Sequence, residues 1–509
     1  MLNAYKLEQD LVIYPQEEEF AKLVSSYNVI PFYTEVEAKG IDTVALFEIL
    51  KTGKYDVLLE SSKISSGTGR YSFIGLDVRS VFKVYGSRID FFEKGARRDL
   101  NGHPIKVLES IFSEYKTYKN SKLPPFFGGA IGFLKYEALT FFENISLKES
   151  LSGIPDIFLV FYDTVVAFDH LKEKLFIITN IHTQEGKKFS NEPGDRIRGI
   201  VSRFKDLKKN KKSNLSKIMR VGVKDKKKDI SLRSSFSRET FKEAVKKVKA
   251  YIRAGDIFQA NISQRIEIDW ADADSFLFYK VIRELNPSPF ACYLSFEDIQ
   301  IACSSPERLI KLEGNKASTR PIAGTRPKLL DVKEDKLSIE ELFLSSKEQA
   351  EHIMLVDLER NDLGRVCEYG SVVVSDFMAL ENYSHVHHIV SNVEGILKSD
   401  HNGLDLIQAV FPGGTITGVP KIRCMEIIDE VEPVSRDIYT GAIGFIGYNK
   451  DLDFNIVIRT VLVYKNKGYL HVGAGIVADS DPEKEYYETL YKGEALFNAW
   501  EIIKKRMKR

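Results

Sequence analysis

The last third of the chain holds a close series of β-branched and aromatic runs, TGAIGFIGY, FNIVIRTVLVY and GYLHVGAGIVA. Each reads as a strand. CYLSF, IQIACS and RLIKLEG add further strands upstream, and VVAFDH and KLFIITNI more in the first half. Helical stretches intervene: VALFEILK, HPIKVLESIFSEYK, and SRETFKEAVKKVKAYIRAG with its start signal at Ser237 and stop signal at Gly255. One further helix is expected from Pro482 to the terminus. Strands outnumber what a helical bundle needs, and regular strand–helix alternation is absent. The expected class is therefore α+β, with large antiparallel sheets flanked by helices.

At 509 residues the chain can bury a large core. The lysine-rich stretch KDLKKNKKSNLSKIMRVGVKDKKKD has little periodicity and reads as a solvated connector, residues 205–236, between regions 1–204 and 237–509. A nucleic-acid-binding arm is the sharper alternative. The net charge of +1 gives no electrostatic case for a nucleic-acid partner. No apolar run approaches the roughly 20 residues that cross a bilayer, and the first residues lack a signal-peptide pattern. No membrane association is expected, and the cytoplasm is the expected location. The four cysteines, Cys292, Cys303, Cys367 and Cys424, match neither a disulfide framework nor a zinc site and are expected to be reduced.

Glu348 and Glu351 in SSKEQAEHIMLVDLERNDLGR stand three residues apart, on one helical face. Glu485 and Glu488 in EKEYYETLYKGEALF repeat the device, with Lys492 one turn on. Paired carboxylates suit Mg²⁺, although solvated faces with charge pairs fit the same pattern. Glycine is dense in GGAIG, PIAGTR, FPGGTITGVPK and GAG, with no phosphate-loop or dinucleotide signature. In YSHVHHIVSNVEG, strand alternation points His385 and His387 one way and His388 the other, which disfavours a shared metal. A hydrogen-bonding or proton-transfer role fits one of them better.

In order, AGDIFQANISQR, NPSPF, SSPERL, TRPIAGTRP, KEQAEHIMLVDLERNDLGR, YSHVHHIVSNVEG, FPGGTITGVPK, GAIGF, NIVIRT and GAGIVADSDPEKEYYETL resemble the motifs of the chorismate-utilising enzymes over nearly the whole chain. The resemblance implies a large α/β sandwich with the N-terminal part packed on the chorismate-binding core. It implies Mg²⁺ held by Glu351 and Glu488, with Glu348 and Glu485 acting through water. Substrate carboxylates would meet the metal, Tyr439, Arg459, Lys492 and the backbone of Gly473, Ala474 and Gly475. Glu307, Gly324, Thr325, His388 and Thr415 would form the catalytic set. A dianionic substrate with a departing hydroxyl requires cations and a proton donor, which these residue types supply.

Two positions separate the branches of this family. Gln259 stands where water-using relatives carry a lysine base, and Ala323 where para-aminating relatives carry a nucleophilic lysine. Direct ortho amination of chorismate to anthranilate and pyruvate is therefore expected. Amination to aminodeoxychorismate is the alternative, favoured by FPGGTITG, NIVIRT and the Phe290-Ala291 pair. A non-catalytic chorismate-binding scaffold is the distant one. Leu59, Glu60 and Ser61 with Asn286, Pro287 and Ser288 resemble a tryptophan-feedback segment, weakened by Ala291. No stretch resembles a glutamine amidotransferase, so a separate glutaminase subunit is expected to supply ammonia.

Overall fold

The computed structural model describes residues 11–62, 69–185, 189–209, 233–328, 331–382 and 386–507. His385 and most of the lysine-rich connector, residues 210–232, lie outside them. Among the described residues, twenty-two strands join one curled sheet network. The ladders are antiparallel throughout, from the long Tyr71–Tyr85 and Ile157–Asp169 pair to Gln259–Asp269 against Lys467–Ile476. The architecture is mixed helix and antiparallel sheet, as the strand-rich, non-alternating sequence predicts.

Ladders cross the connector. Asp56–Glu60 pairs with Phe290–Phe296, setting Leu58 opposite Tyr293. Gly129–Leu134 pairs with Ala442–Gly447, setting Phe133 opposite Ile443. The cores cross it too: Phe47 and Ile177 share one apolar cluster with Tyr279, Leu470 and Trp500. No helix among the described residues is long and apolar enough to cross a membrane. All four cysteines are free thiols, each buried.

Local signals explain much of this. The helix Arg238–Ala254 opens on a reciprocal capping box between Ser237 and Thr240 and closes on Gly255 in the left-handed conformation, φ 83°. Three boundaries differ from the sequence expectation. FNIVIRTVLVY is two strands, Leu452–Ile456 and Thr460–Tyr464, because Arg459 between them takes φ 50°. The terminal helix is two, Pro482–Lys492 and Glu494–Met507. They part at Gly493, where a Cβ would lie 2.7 Å from Phe497 and 2.9 Å from Val472, so tight packing against the sheet selects glycine and breaks the run. The connector's first residues, up to Lys209, continue the helix Glu192–Lys209.

Candidate active site

The first carboxylate pair sits on the helix Ser346–Val366, whose N-cap Ser345 accepts a hydrogen bond from the Glu348 amide at 3.3 Å. That cap starts the helix so that Glu348 and Glu351 face the glycine-rich strands. A Cβ on Gly324, which takes φ 75°, would lie 3.2 Å from Glu348 Oε2. Glu351 Oε1 accepts a hydrogen bond from Gln259 Nε2 at 2.9 Å and would lie 3.6 Å from a Cβ on Gly475. Any side chain at either glycine would fill the space beside a carboxylate oxygen.

The second pair lies on Pro482–Lys492, which packs against the strand Lys467–Ile476. Glu485 is buried. Glu488 and Lys492 pair with each other at 2.9 Å, both about half exposed (48% and 45%), so two groups expected to meet ligand neutralise one another here. Among the described residues no group of three or more His, Cys, Asp or Glu side chains is gathered to hold a metal. The donor chemistry nonetheless fits Mg²⁺, since all four are hard oxygen ligands and two open onto glycine-lined space.

Glu307 follows the strand Ile299–Ser305 and is 5% exposed. The Ile322 amide points to its Oε1 at 3.5 Å. Burial pushes its carboxyl up to about 7, against the pull of the Thr415 hydroxyl, the Ile322 amide, and the Arg459 and Lys492 charges. A carboxyl protonated near neutrality can donate to a leaving hydroxyl. Thr325 and His388 face each other across the Ile322–Pro327 and Val386–Ile396 ladder, and His388 is buried. Arg459 holds a left-handed backbone that costs roughly 1–2 kcal/mol for an L-residue. Its guanidinium reaches Asn286 Oδ1 at 3.4 Å.

Gly473, Ala474 and Gly475 ladder with Asn261, Ile262 and Ser263 on one edge. On the other edge the ladder with Thr460–Tyr464 ends at Leu470, which leaves the glycine segment without a strand there among the described residues. The Ala474 methyl turns into an apolar cluster with Ile262 and Phe241, so only its backbone can serve substrate. Tyr439 is buried, its ring 5.0 Å from His471, and a Cβ on Gly473 would lie 2.6 Å from its Oη.

One functional-looking carboxyl escapes the motif reading. Glu359 lies two turns beyond Glu351 on the same helix, is 3% exposed, and is pushed up to about 8 by burial and by Asp362. Helical periodicity carried past Glu351 is the signal that finds it.

The expected inhibitor segment borders a cavity of about 1140 Å³, walled by Leu59, Glu60, Ser61, Phe290, Ala291 and Asn455, among others. Of the expected NPSP partner segment only Pro289, not Asn286, Pro287 or Ser288, lines the cavity. The two segments touch: Ser288 N donates to Ser62 Oγ at 2.8 Å, and Ser61 Oγ to Pro289 O at 3.2 Å. Glu60 is 2% exposed and accepts hydrogen bonds from Tyr279 Oη (2.6 Å), Arg283 Nε (2.9 Å) and the Thr43 hydroxyl. Those partners come from distant sequence, so no local motif announces them.

Comparison with known proteins shows the family and the fold. The chain is 38% identical over 493 residues to anthranilate synthase component 1 of Acetivibrio thermocellus, covering 96% of this chain and 99% of that one. It is 41% identical over 467 residues to aminodeoxychorismate synthase component 1 of Bacillus subtilis (strain 168), covering 91% and 95%. Its structure is similar to that of anthranilate synthase component I from Streptococcus pneumoniae TIGR4, with a TM-score of 0.71 at 29% identity over 91% of this chain and 98% of that one. Residues 64–498 match the family described as chorismate binding enzyme, and with relatives this similar over nearly its full length the chain belongs to that family.

Proposed function

We propose that this chain is the large subunit of an anthranilate synthase, converting chorismate and ammonia to anthranilate, pyruvate and water, the first step of tryptophan synthesis, in the cytoplasm. The observation that carries the reading is Ala323, on the strand Ile322–Pro327 beside Gly324. An alanine methyl cannot attack the ring, so no covalent intermediate directs nitrogen to the para carbon. Ammonia then adds at the ortho carbon, forming the C–N bond as the ring C–O bond breaks. Glu307 gives its proton to the departing hydroxyl, which leaves as water, and the added nitrogen gives up a proton in turn. His388 takes the ring proton as the ring–O bond to the enolpyruvyl group breaks, and the departing enolate keeps the bonding pair and takes up a proton at its methylene carbon to become pyruvate. Arg459, Tyr439, Lys492 and the Gly473–Gly475 backbone hold the two substrate carboxylates, with Gly324, Thr325 and Thr415 along the ring.

Magnesium held by Glu351 and Glu488, with Glu348 and Glu485 through water, would supply positive charge at the ring carboxylate. A glutaminase partner supplies ammonia, and ammonium salts replace it in vitro. A second reading, amination to aminodeoxychorismate, is supported by the 41% identity to the Bacillus subtilis relative. The product decides between them. Purified chain, chorismate, Mg²⁺ and ammonium should yield blue-fluorescent anthranilate and one equivalent of pyruvate with no second enzyme. A non-fluorescent amino compound that gives para-aminobenzoate only after a lyase is added establishes the second reading instead.

The cavity at Leu59, Glu60 and Ser61 is read as the tryptophan effector site. Glu60 is already saturated by Tyr279, Arg283 and Thr43, and Ala291 offers little contact surface, so affinity should be weak. Isothermal titration should show saturable heat with tryptophan in the millimolar range. Absence of heat there removes the effector role and leaves the catalytic reading untouched.

A further inference from the structure

The strands Gln259–Asp269 and Lys467–Ile476 sort their side chains by alternation. Ala260 and Ile262, with Ala474 and Ile476 across the ladder, turn into an apolar cluster with Phe241, Val245 and Ile428. The opposite face carries Gln259, Asn261, Ser263 and Arg265, with Gly475 across from Asn261, Gly473 across from Ser263 and His471 across from Arg265. This polar face is buried as well: Gln259 is 3% exposed, Ser263 2% and His471 6%.

Buried polar atoms in folded proteins nearly always have a hydrogen-bond partner. Four on this one face have none among the described residues: Gln259 Oε1, Asn261 Oδ1, Ser263 Oγ and His471 Nδ1. They follow one another along the ladder at two-residue steps, roughly 7 Å each. At the His471 end a small cavity of about 10 Å³ is lined by Arg436, Asp437, Tyr439, Thr460 and His471, among others, close to the room one water-sized molecule needs. In the middle, Asn261 Oδ1 and Tyr439 Oη would each lie 2.6 Å from a Cβ on Gly473, so both oxygens converge on bare backbone. At the far end Gln259 hydrogen-bonds Glu351.

Resting on the amination reading above, we propose that this face is a binding track for neutral ammonia, which holds the nucleophile at His471, Ser263 and Asn261 and presents it to the ring beside Gln259. Ammonia has three N–H donors and one lone pair. A row of neutral acceptors engages the N–H bonds and leaves the lone pair free to attack. A free carboxylate would favour ammonium, which has no lone pair. The nearby carboxylates are already committed: Glu432 accepts from Arg436 Nη2 at 2.7 Å and from the Ser263 amide at 2.7 Å, and Asp437 faces Arg265 at 3.5 Å. Burial, with Arg265 and Arg436, keeps the His471 ring uncharged.

The test is steady-state kinetics of the full chain at alkaline pH, with ammonium varied at saturating chorismate and then the reverse. Asn261→Leu and Ser263→Ala should each raise KM for ammonia about tenfold, keep KM for chorismate within about twofold, and retain kcat at saturating ammonia. Ser263→Thr, which keeps the hydroxyl, should recover most of the loss. Circular dichroism melts of each variant identify any that misfold, and Ser263→Ala, which removes one atom, carries the test if Asn261→Leu does. An unchanged KM for ammonia, or equal rises for both substrates, shows that the face holds structural water only and overturns the track. A wild-type chain that consumes chorismate without incorporating nitrogen sinks the amination reading itself, a distinguishable result.

Discussion

Replacing Glu351 with glutamine should lower chorismate turnover by more than the roughly 10–100-fold typical of changes behind a metal's own ligands. The substitution keeps the side-chain length, and its carbonyl oxygen can still accept from Gln259 Nε2, the bond seen at 2.9 Å. The fold should therefore survive while one anionic oxygen is lost to a cation that draws on few protein ligands. Glu488→Gln should act in the same direction, with a milder structural consequence because Glu488 is half exposed and pairs along its own helix with Lys492. Two measurements check this: Mg²⁺ binding by isothermal titration, and turnover as a function of Mg²⁺ concentration. Near wild-type turnover at limiting Mg²⁺ in either variant would remove that residue from the metal site.

How much of this was legible in the sequence depends on how local each determinant is. Ser237, Thr240 and Gly255 fix a helix through contacts within a few residues, and the sequence reading placed that helix correctly. The pairing of Glu348 with Glu351 is equally local, since helical spacing alone puts them on one face. Arg459 shows the opposite case. Nothing in NIVIRT marks a break, because the left-handed turn is held from outside, by Asn286 at the guanidinium and by the Ser304 amide on the Arg459 carbonyl at 3.2 Å.

Glu60 makes the same point in the effector segment. Its role there resembles ligand binding, yet Arg283 on Oε1 and Tyr279 on Oε2, more than two hundred residues away in sequence, already occupy both oxygens. The polar face of Gln259–Asp269 was half legible. Period-two alternation predicts it, but only the ladder with Lys467–Ile476 reveals that Gly473 and Gly475 complete it.

Glu307→Gln should reduce the amination step about 10²–10⁴-fold, the usual range for loss of a general acid. The pH dependence makes the assignment specific. Burial raises the Glu307 carboxyl to about 7, so the proton-donating form predominates below that pH and is lost as pH rises through it. The free-base fraction of ammonia moves the other way. When kcat is expressed per free ammonia, the wild-type profile should fall above about pH 7, tenfold per pH unit. Glutamine cannot titrate, so the variant's residual activity should lack that limb. Glu359 is the group most able to mimic it, being buried nearby and pushed up to about 8. If the alkaline limb persists in Glu307→Gln and disappears in Glu359→Gln, the proton donor has been assigned to the wrong carboxyl. If it persists in Glu307→Gln alone and rate loss is small, the Thr415 and Ile322 contacts serve only to seat Glu307 in the wall of the site.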